Sequence, residues 1–197
     1  MRKIVLTLFI IIGTLSASAQ SLLDTLSESL AAMGRYEARV QIAIDDYSLA
    51  GGYIVEGTDF YAYMDGVELY VADGVKYEVN SRKGEVTIDT AQSLGSDIVS
   101  NPAQGFALLK EQFVAKATTV SGAAAVELTP KAEYSEQYGG QSVTVVADSS
   151  GKLPAQVIYR EGSSSLTVRF LSVAPYQRPL PRFDSEKYAQ YELLDMR

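Results

Sequence analysis

The sequence predicts a mainly β protein with about ten to twelve strands in an antiparallel sheet and two or three helices. Within Gly52–Asp89, short runs rich in Val, Ile, Tyr and Phe are separated at near-regular intervals by turn sequences. Two of these turns are the pairs Asp65-Gly66 and Asp73-Gly74, which tolerate the positive φ that tight hairpins require. Strands joined by such short turns run antiparallel, because a parallel pair needs a long crossover connection.

The segments before this β-meander predict one helix and two strands. Leucines recur at helical spacing over Ser21–Met33, which predicts a helix that packs on the sheet. Apolar and polar residues alternate over Tyr36–Ile44, as is typical of a strand with one buried face. The pair Asp45-Asp46 then turns the chain into a second strand, Tyr47–Glu56. This strand contains Gly51-Gly52, which suggests a bulge or a bend.

The segments after the meander predict a loop, a second helix and further strands. Ala91–Ser100 is polar and contains Gly and Ser, so we predict a loop there. Asn101-Pro102 is typical of a helix start, and apolar residues continue the helical pattern to about Ala115. A polar excursion is expected over Lys131–Gly140. The remaining predicted strands are Thr118–Val120, Ala124–Thr129, Gln141–Ala147, Leu153–Arg160, Ser163–Val173 and Tyr191–Met196.

The N-terminal residues have the pattern of a secretory signal peptide. Arg2 and Lys3 precede the apolar run Ile4–Ile12, and Ala17-Ser18-Ala19 forms a small-residue cleavage motif. We therefore predict a signal peptide over 1–19, cleavage after Ala19, and one exported periplasmic domain over 20–197. Loss of the two basic residues would change the net charge from −7 to −9. Such acidity argues against binding to nucleic acid.

The composition also limits the chemistry that the chain can perform. The sequence has no Cys and no His, which excludes disulfides, thiol nucleophiles, His-based triads and His metal ligands. The motif Ser149-Ser150-Gly151-Lys152 matches a serine–lysine pattern, but it lies in a predicted hairpin turn rather than at a helix start. We therefore expect no enzyme activity, no metal and no cofactor.

Several segments in sequence order resemble the outer-membrane lipoprotein carrier family, LolA, and its LolA-like relatives. Each motif alone has low specificity for the family. The resemblance rests on the order of the motifs, which extends along nearly the whole predicted mature chain. The segments are Ala72–Asn80, which contains Asp-Gly followed by an aromatic residue, then Gly84–Ile88, Asn101-Pro102 with Phe106, Leu108 and Leu109, Lys152-Leu153-Pro154 with Val157, and Glu192–Arg197.

This resemblance implies an unclosed antiparallel β-barrel whose concave face is covered by helices. It also implies a monomeric periplasmic carrier that binds lipoprotein acyl chains in a hydrophobic groove. The implied partners are an inner-membrane ABC transporter and an outer-membrane receptor. The arginine that fastens the lid of well-studied members has no counterpart in Val55–Phe60.

Nine apolar residues are candidates to line the groove, and for each of them a role as an ordinary core side chain is the alternative. A lipid-sensing or protein-binding module on the same scaffold is the alternative function. The nine candidate groove residues are Val40, Ile42, Ile44, Phe60, Met64, Leu69 and Val71, with Phe106 and Leu109 from the helical cover.

Overall fold

A computed structural model describes residues 18–94 and 98–197 of the chain. The predicted signal peptide, 1–19, lies outside the described residues except for its last two positions, Ser18 and Ala19. These two residues are helical, and the side chain of Ala19 is fully buried. Among the described residues, no helix is both long and apolar enough to cross a membrane.

Twelve strands form a single sheet within the described residues, and three α-helices accompany it. The helices are α1 (18–31), α2 (Gly105–Gln112) and α3 (Ser135–Tyr138). The strands are β1 (Arg35–Ile44), β2 (Tyr47–Glu56), β3 (Asp59–Met64), β4 (Val67–Ala72), β5 (Val75–Asn80), β6 (Glu85–Thr90), β7 (Phe113–Val120), β8 (Ala123–Pro130), β9 (Ser142–Ala147), β10 (Pro154–Glu161), β11 (Ser164–Pro175) and β12 (Glu192–Asp195).

The sheet order is β12-β6-β5-β4-β3-β2-β1-β11-β10-β9-β8-β7, so β12 and β7 are edges that do not pair with each other. The predicted fold class, a mainly β and unclosed antiparallel sheet with helices, is confirmed. One pair departs from the antiparallel pattern, because β12 runs parallel to β6. The long stretch of chain between these two strands permits this, whereas the short hairpins elsewhere do not.

The Asp-Gly hairpins have the backbone geometry that the sequence predicts. Asp65 and Gly66 have φ values of 49° and 81°, and Asp73 and Gly74 have values of 53° and 79°. Positive φ at both central residues matches the right-handed twist of the flanking strands. The register therefore continues without a shift from β3 to β6.

The second helix is shorter than predicted at both ends. Asn101 forms a turn first: its side-chain oxygen accepts a hydrogen bond from the backbone N–H of Gln104 at 3.3 Å, and its carbonyl accepts one from Gly105 at 2.9 Å. The predicted helical end at Ala115 is wrong, because β7 begins at Phe113 and pairs with β8 from that residue. Sheet pairing there overrides the local helical pattern.

Of the bulge or bend predicted at Gly51-Gly52, the bulge is absent, because β2 keeps a continuous register with both neighbours. A Cβ atom on Gly52 would lie 2.8 Å from the hydroxyl oxygen of Tyr63, and one on Gly51 would lie 2.5 Å from the carbonyl oxygen of Tyr63. The two glycines thus allow close approach of β3. Register shifts lie instead between β1 and β11, where Leu171 is the extra residue, and between β10 and β9, where Ala155 is the extra residue.

The main core lies between the concave face of the sheet and the helices, as predicted. Leu23 and Leu26 of α1 and Phe106 and Leu109 of α2 are buried against side chains from both halves of the sheet. Such burial contributes about 25 cal/mol per Å² of apolar surface. Ile98 joins this core, and its backbone N–H donates a hydrogen bond to the Tyr159 hydroxyl at 2.9 Å.

A smaller core covers the opposite face of β3–β6. Residues 176–191, here called the C-terminal strap, cross this face before β12 begins. Tyr188 and Phe183 of the strap pack with Tyr70, Val79 and Val86 of the sheet. Pro175, Pro179 and Pro181 predict an irregular loop in this region, but no local sequence pattern predicts its packing.

Candidate ligand cavity

A cavity of about 360 Å³ lies on the concave face, at the end of the sheet where β1 turns into β2 and β3 turns into β4. We call it the apolar cavity. Its volume is in the range of small-molecule binding sites. Its lining consists of Val40, Ile42, Leu49, Gly52, Tyr53, Ala62, Tyr63, Met64, Asp65, Val67, Leu69, Asn80, Arg82, Val99 and Val168.

Strand alternation supplies the apolar walls. Val40 and Ile42 are two residues apart on β1, and Ala62 and Met64 are two residues apart on β3, so each pair faces the same side of the sheet. The Met64 side chain lies over Gly51, where a Cβ atom would stand 3.3 Å from its terminal methyl group. The glycine therefore gives the flexible Met64 side chain room at the cavity wall.

An ion pair stands at the edge of the apolar cavity. The Nη1 atom of Arg82 donates a hydrogen bond to Oδ2 of Asp65 at 2.8 Å, and Nη2 pairs with the other carboxylate oxygen. This pairing raises the pKa of Arg82. The pair links the β3–β4 turn to the β5–β6 turn. Because the Arg82 side chain is 68% exposed, the pair contributes little to stability by itself.

A second cavity of about 510 Å³ adjoins the apolar cavity and has a different lining. We call it the mixed cavity because hydroxyl, amide and carboxylate side chains stand beside apolar ones. Val99 lines both cavities. The mixed cavity is lined by Ile44, Val99, Ser100, Leu109, Phe113, Tyr138, Gln141, Tyr159, Glu161, Ser164, Ser165 and Leu166.

Four of the nine predicted groove residues come together in the apolar cavity. They are Val40, Ile42, Met64 and Leu69. Val40 and Ile42 are almost fully buried, whereas Met64 and Leu69 are partly exposed. Whether these side chains contact a ligand stays a prediction.

The other five predicted residues lie elsewhere on the concave side. Ile44 and Leu109 line the mixed cavity. Val71 lines a third cavity, and Phe106 lines a groove between α1 and α2. Phe60 is fully buried in the core and lines none of these four cavities.

Several residues of this lining, Ala62, Val168 and Val99 among them, are not among the nine predicted groove residues. Ala62 lies between Phe60 and Met64 on the same face of β3, so alternation alone could have identified it. No local sequence pattern identifies Val168 or Val99 as lining residues. Val168 faces the cavity because β11 pairs with β1 across more than 120 residues of sequence, and Val99 lies in a segment without regular structure.

Comparison of the structure with solved structures finds similar folds at low sequence identity. An uncharacterized conserved protein from Thermus thermophilus matches 90% of this chain and 99% of that chain, with a TM-score of 0.54 and 10% identity. MucB matches 91% of this chain and 66% of that chain, with a TM-score of 0.51 and 13% identity. This chain shares its fold with these two proteins.

A LolA superfamily protein from Nitrosomonas europaea also matches, over 82% of this chain and 94% of that chain, with a TM-score of 0.44 and 10% identity. No family model and no curated protein sequence matches the chain. The architecture that the LolA resemblance implied, an unclosed sheet with helices on its concave face, is present in this structure.

Proposed function

We propose that this protein is a lipid or lipoprotein carrier that holds an acyl chain in the apolar cavity. The observation that carries the proposal is a concave site whose walls are mainly hydrocarbon. Apart from the hydroxyl groups of Tyr53 and Tyr63, its polar side chains come from turns and strand ends, namely Asp65, Asn80 and Arg82. Burial of an acyl chain stabilises a complex by about 0.8 kcal/mol per methylene group. Such binding needs no catalytic side chain, so enzyme chemistry is not part of this proposed function.

The more specific form of the proposal is transfer of lipoprotein acyl chains through the periplasm towards the outer membrane. The predicted signal peptide and the LolA resemblance support it. An inner-membrane ABC transporter that loads the carrier and an outer-membrane receptor that unloads it belong to the same proposal.

The first test compares two Leu-to-Asp variants for binding of a fluorescent fatty acid. Leu69 lines the apolar cavity, whereas Leu171 is 62% exposed and lines none of the four cavities described above. Leu69→Asp should lower the affinity by about tenfold or more, because ligand entry would desolvate the new carboxylate. Leu171→Asp should leave the affinity unchanged.

Equal affinities of the two variants would contradict binding in the apolar cavity. Native mass spectrometry of the purified protein provides a second measurement, since a carrier should retain an acyl-bearing species. Protein that is free of lipid and also ignores the fluorescent fatty acid would overturn the proposal and favour the protein-binding alternative.

A further inference from the structure

The apolar and mixed cavities lie one after the other along the same two strands. Ile42 of β1 pairs with Val168 of β11, and both line the apolar cavity. Two residues further along β1, Ile44 pairs with Leu166, and both line the mixed cavity. Two residues in a strand span about 7 Å. With Val99 lining both, the two cavities are close enough for one ligand to extend from one into the other.

The volume of the apolar cavity limits the number of chains that it can hold. A methylene group takes up about as much space as a water molecule, whose share of liquid volume is roughly 30 Å³. The cavity of about 360 Å³ therefore holds roughly a dozen methylene groups, which is one medium-length acyl chain. A second chain of the same length would have to lie outside it.

The lining of the mixed cavity suits the polar end of a ligand. Gln141, Ser164 and Ser165 bring hydroxyl and amide groups, which can both donate and accept hydrogen bonds. Glu161 is the one Asp or Glu side chain in this lining among the described residues, and no Lys or Arg belongs to it. A carboxylate without a nearby lining cation disfavours an anionic head group.

We infer that the ligand is a single-chain amphiphile, with its acyl chain in the apolar cavity and an uncharged, hydroxyl-bearing head group in the mixed cavity. This inference rests on the proposed function and narrows its ligand class to a lipid with one chain, which favours a lipid carrier over a carrier of multiply acylated lipoproteins. A lipid or acylated peptide that presents two or three chains would leave at least one of them outside the apolar cavity.

Competition against the fluorescent fatty acid tests the number of chains and the charge of the head group. The competitors are 1-monolauroylglycerol, dilauroylglycerol and laurate, which share one chain length. We expect 1-monolauroylglycerol to bind with one molecule per protein and with the highest affinity. Equal or tighter binding of dilauroylglycerol or laurate would overturn the inference while leaving the carrier function in place. Absence of binding by all three would overturn both.

A charge-neutralising variant tests where the head group lies. Glu161→Gln removes the carboxylate from the mixed cavity, so the affinity for laurate should rise by roughly threefold or more, with little change for 1-monolauroylglycerol. Glu78→Gln is the matched control, because Glu78 is an exposed carboxylate on β5 that lines neither cavity. An unchanged laurate affinity in Glu161→Gln, or an equal rise in Glu78→Gln, would overturn the placement of the head group.

Discussion

At the residue scale, Glu68 is the centre of a polar cluster on the convex face of the sheet. The hydroxyl groups of Tyr61 and Tyr70 donate hydrogen bonds to its Oε1 atom at 2.8 and 3.0 Å. The Tyr188 hydroxyl donates to Oε2 at 2.6 Å, and the Lys187 ammonium lies 3.4 Å from both oxygens. One carboxylate thus joins β3 and β4 to the C-terminal strap.

This cluster makes stability depend on pH. Burial alone would raise the pKa of Glu68, but the tyrosine hydroxyls and Lys187 outweigh burial and lower it overall. A carboxyl group with a lower pKa in the folded state contributes stability above its unfolded pKa, about 4.3. That contribution is lost as the pH falls through the lowered folded value.

Glu68→Gln should therefore destabilise the protein at pH 7 by about 1–3 kcal/mol, because the charge-assisted hydrogen bonds are lost. The difference from the unmodified protein should shrink on acidification below the unfolded pKa. Urea unfolding at pH 7 and pH 3 measures both effects, with Glu78→Gln as the control. Equal stability of the unmodified protein and Glu68→Gln at pH 7 would contradict the role of the cluster.

At the element scale, the C-terminal strap is held mainly by aromatic packing. The Phe183 ring stacks on Tyr77 with 4.2 Å between centroids and an interplanar angle of 5°, and it stacks on Tyr188 at 5.6 Å and 9°. Stacked aromatic pairs contribute about 0.5–1.5 kcal/mol beyond the apolar area that they bury. Phe183 therefore anchors the strap ahead of β12.

Phe183→Ala should release the strap without unfolding the main core. We expect a loss of about 2 kcal/mol, less than for a fully buried Phe, since this side chain is only partly buried. Hydrogen exchange should accelerate in residues 184–195. Phe170→Ala is the control, because Phe170 is also partly buried but packs with the main core. Unchanged exchange in the strap of Phe183→Ala would contradict this role.

The strands and the C-terminal strap differ in how well local sequence patterns predict them. Alternation and Asp-Gly turns predicted β1–β6 because each hairpin is fixed by residues close together in the chain. The pairing of β12 with β6 and the packing of the strap could not be predicted in this way. Both depend on contacts between residues about 100 positions apart, such as Tyr70 and Tyr188.

At the scale of the whole molecule, part of the candidate site could be predicted from local sequence patterns, and part depends on contacts between distant segments of the chain. The alternation of β1 predicted Val40 and Ile42, and both line the apolar cavity. The division of the concave face into several cavities was not predictable, because it depends on where α2 and Val99 lie across the sheet. Phe60 is an example: alternation on β3 predicts that it faces inward, as Met64 does, but it is fully buried in the core and not in a cavity wall.

Ligand binding should also stabilise the whole fold, because the apolar cavity joins β1–β4 to β11 through Val168. A ligand that binds only the folded state at a hundred times its dissociation constant stabilises a protein by about 2.7 kcal/mol. For a chain of 197 residues, this corresponds to an increase in Tm of roughly 5–10 °C. Differential scanning fluorimetry with 1-monolauroylglycerol measures the shift.

The two Leu-to-Asp variants distinguish a bound ligand from a general effect of amphiphiles on stability. Leu171→Asp keeps the apolar cavity intact, so its Tm should rise as much as that of the unmodified protein. Leu69→Asp places a carboxylate in the cavity wall, so its Tm should barely respond to the ligand. An equal increase in both variants would show that the amphiphile acts on the protein surface, because a site at Leu69 cannot respond in the same way to both substitutions.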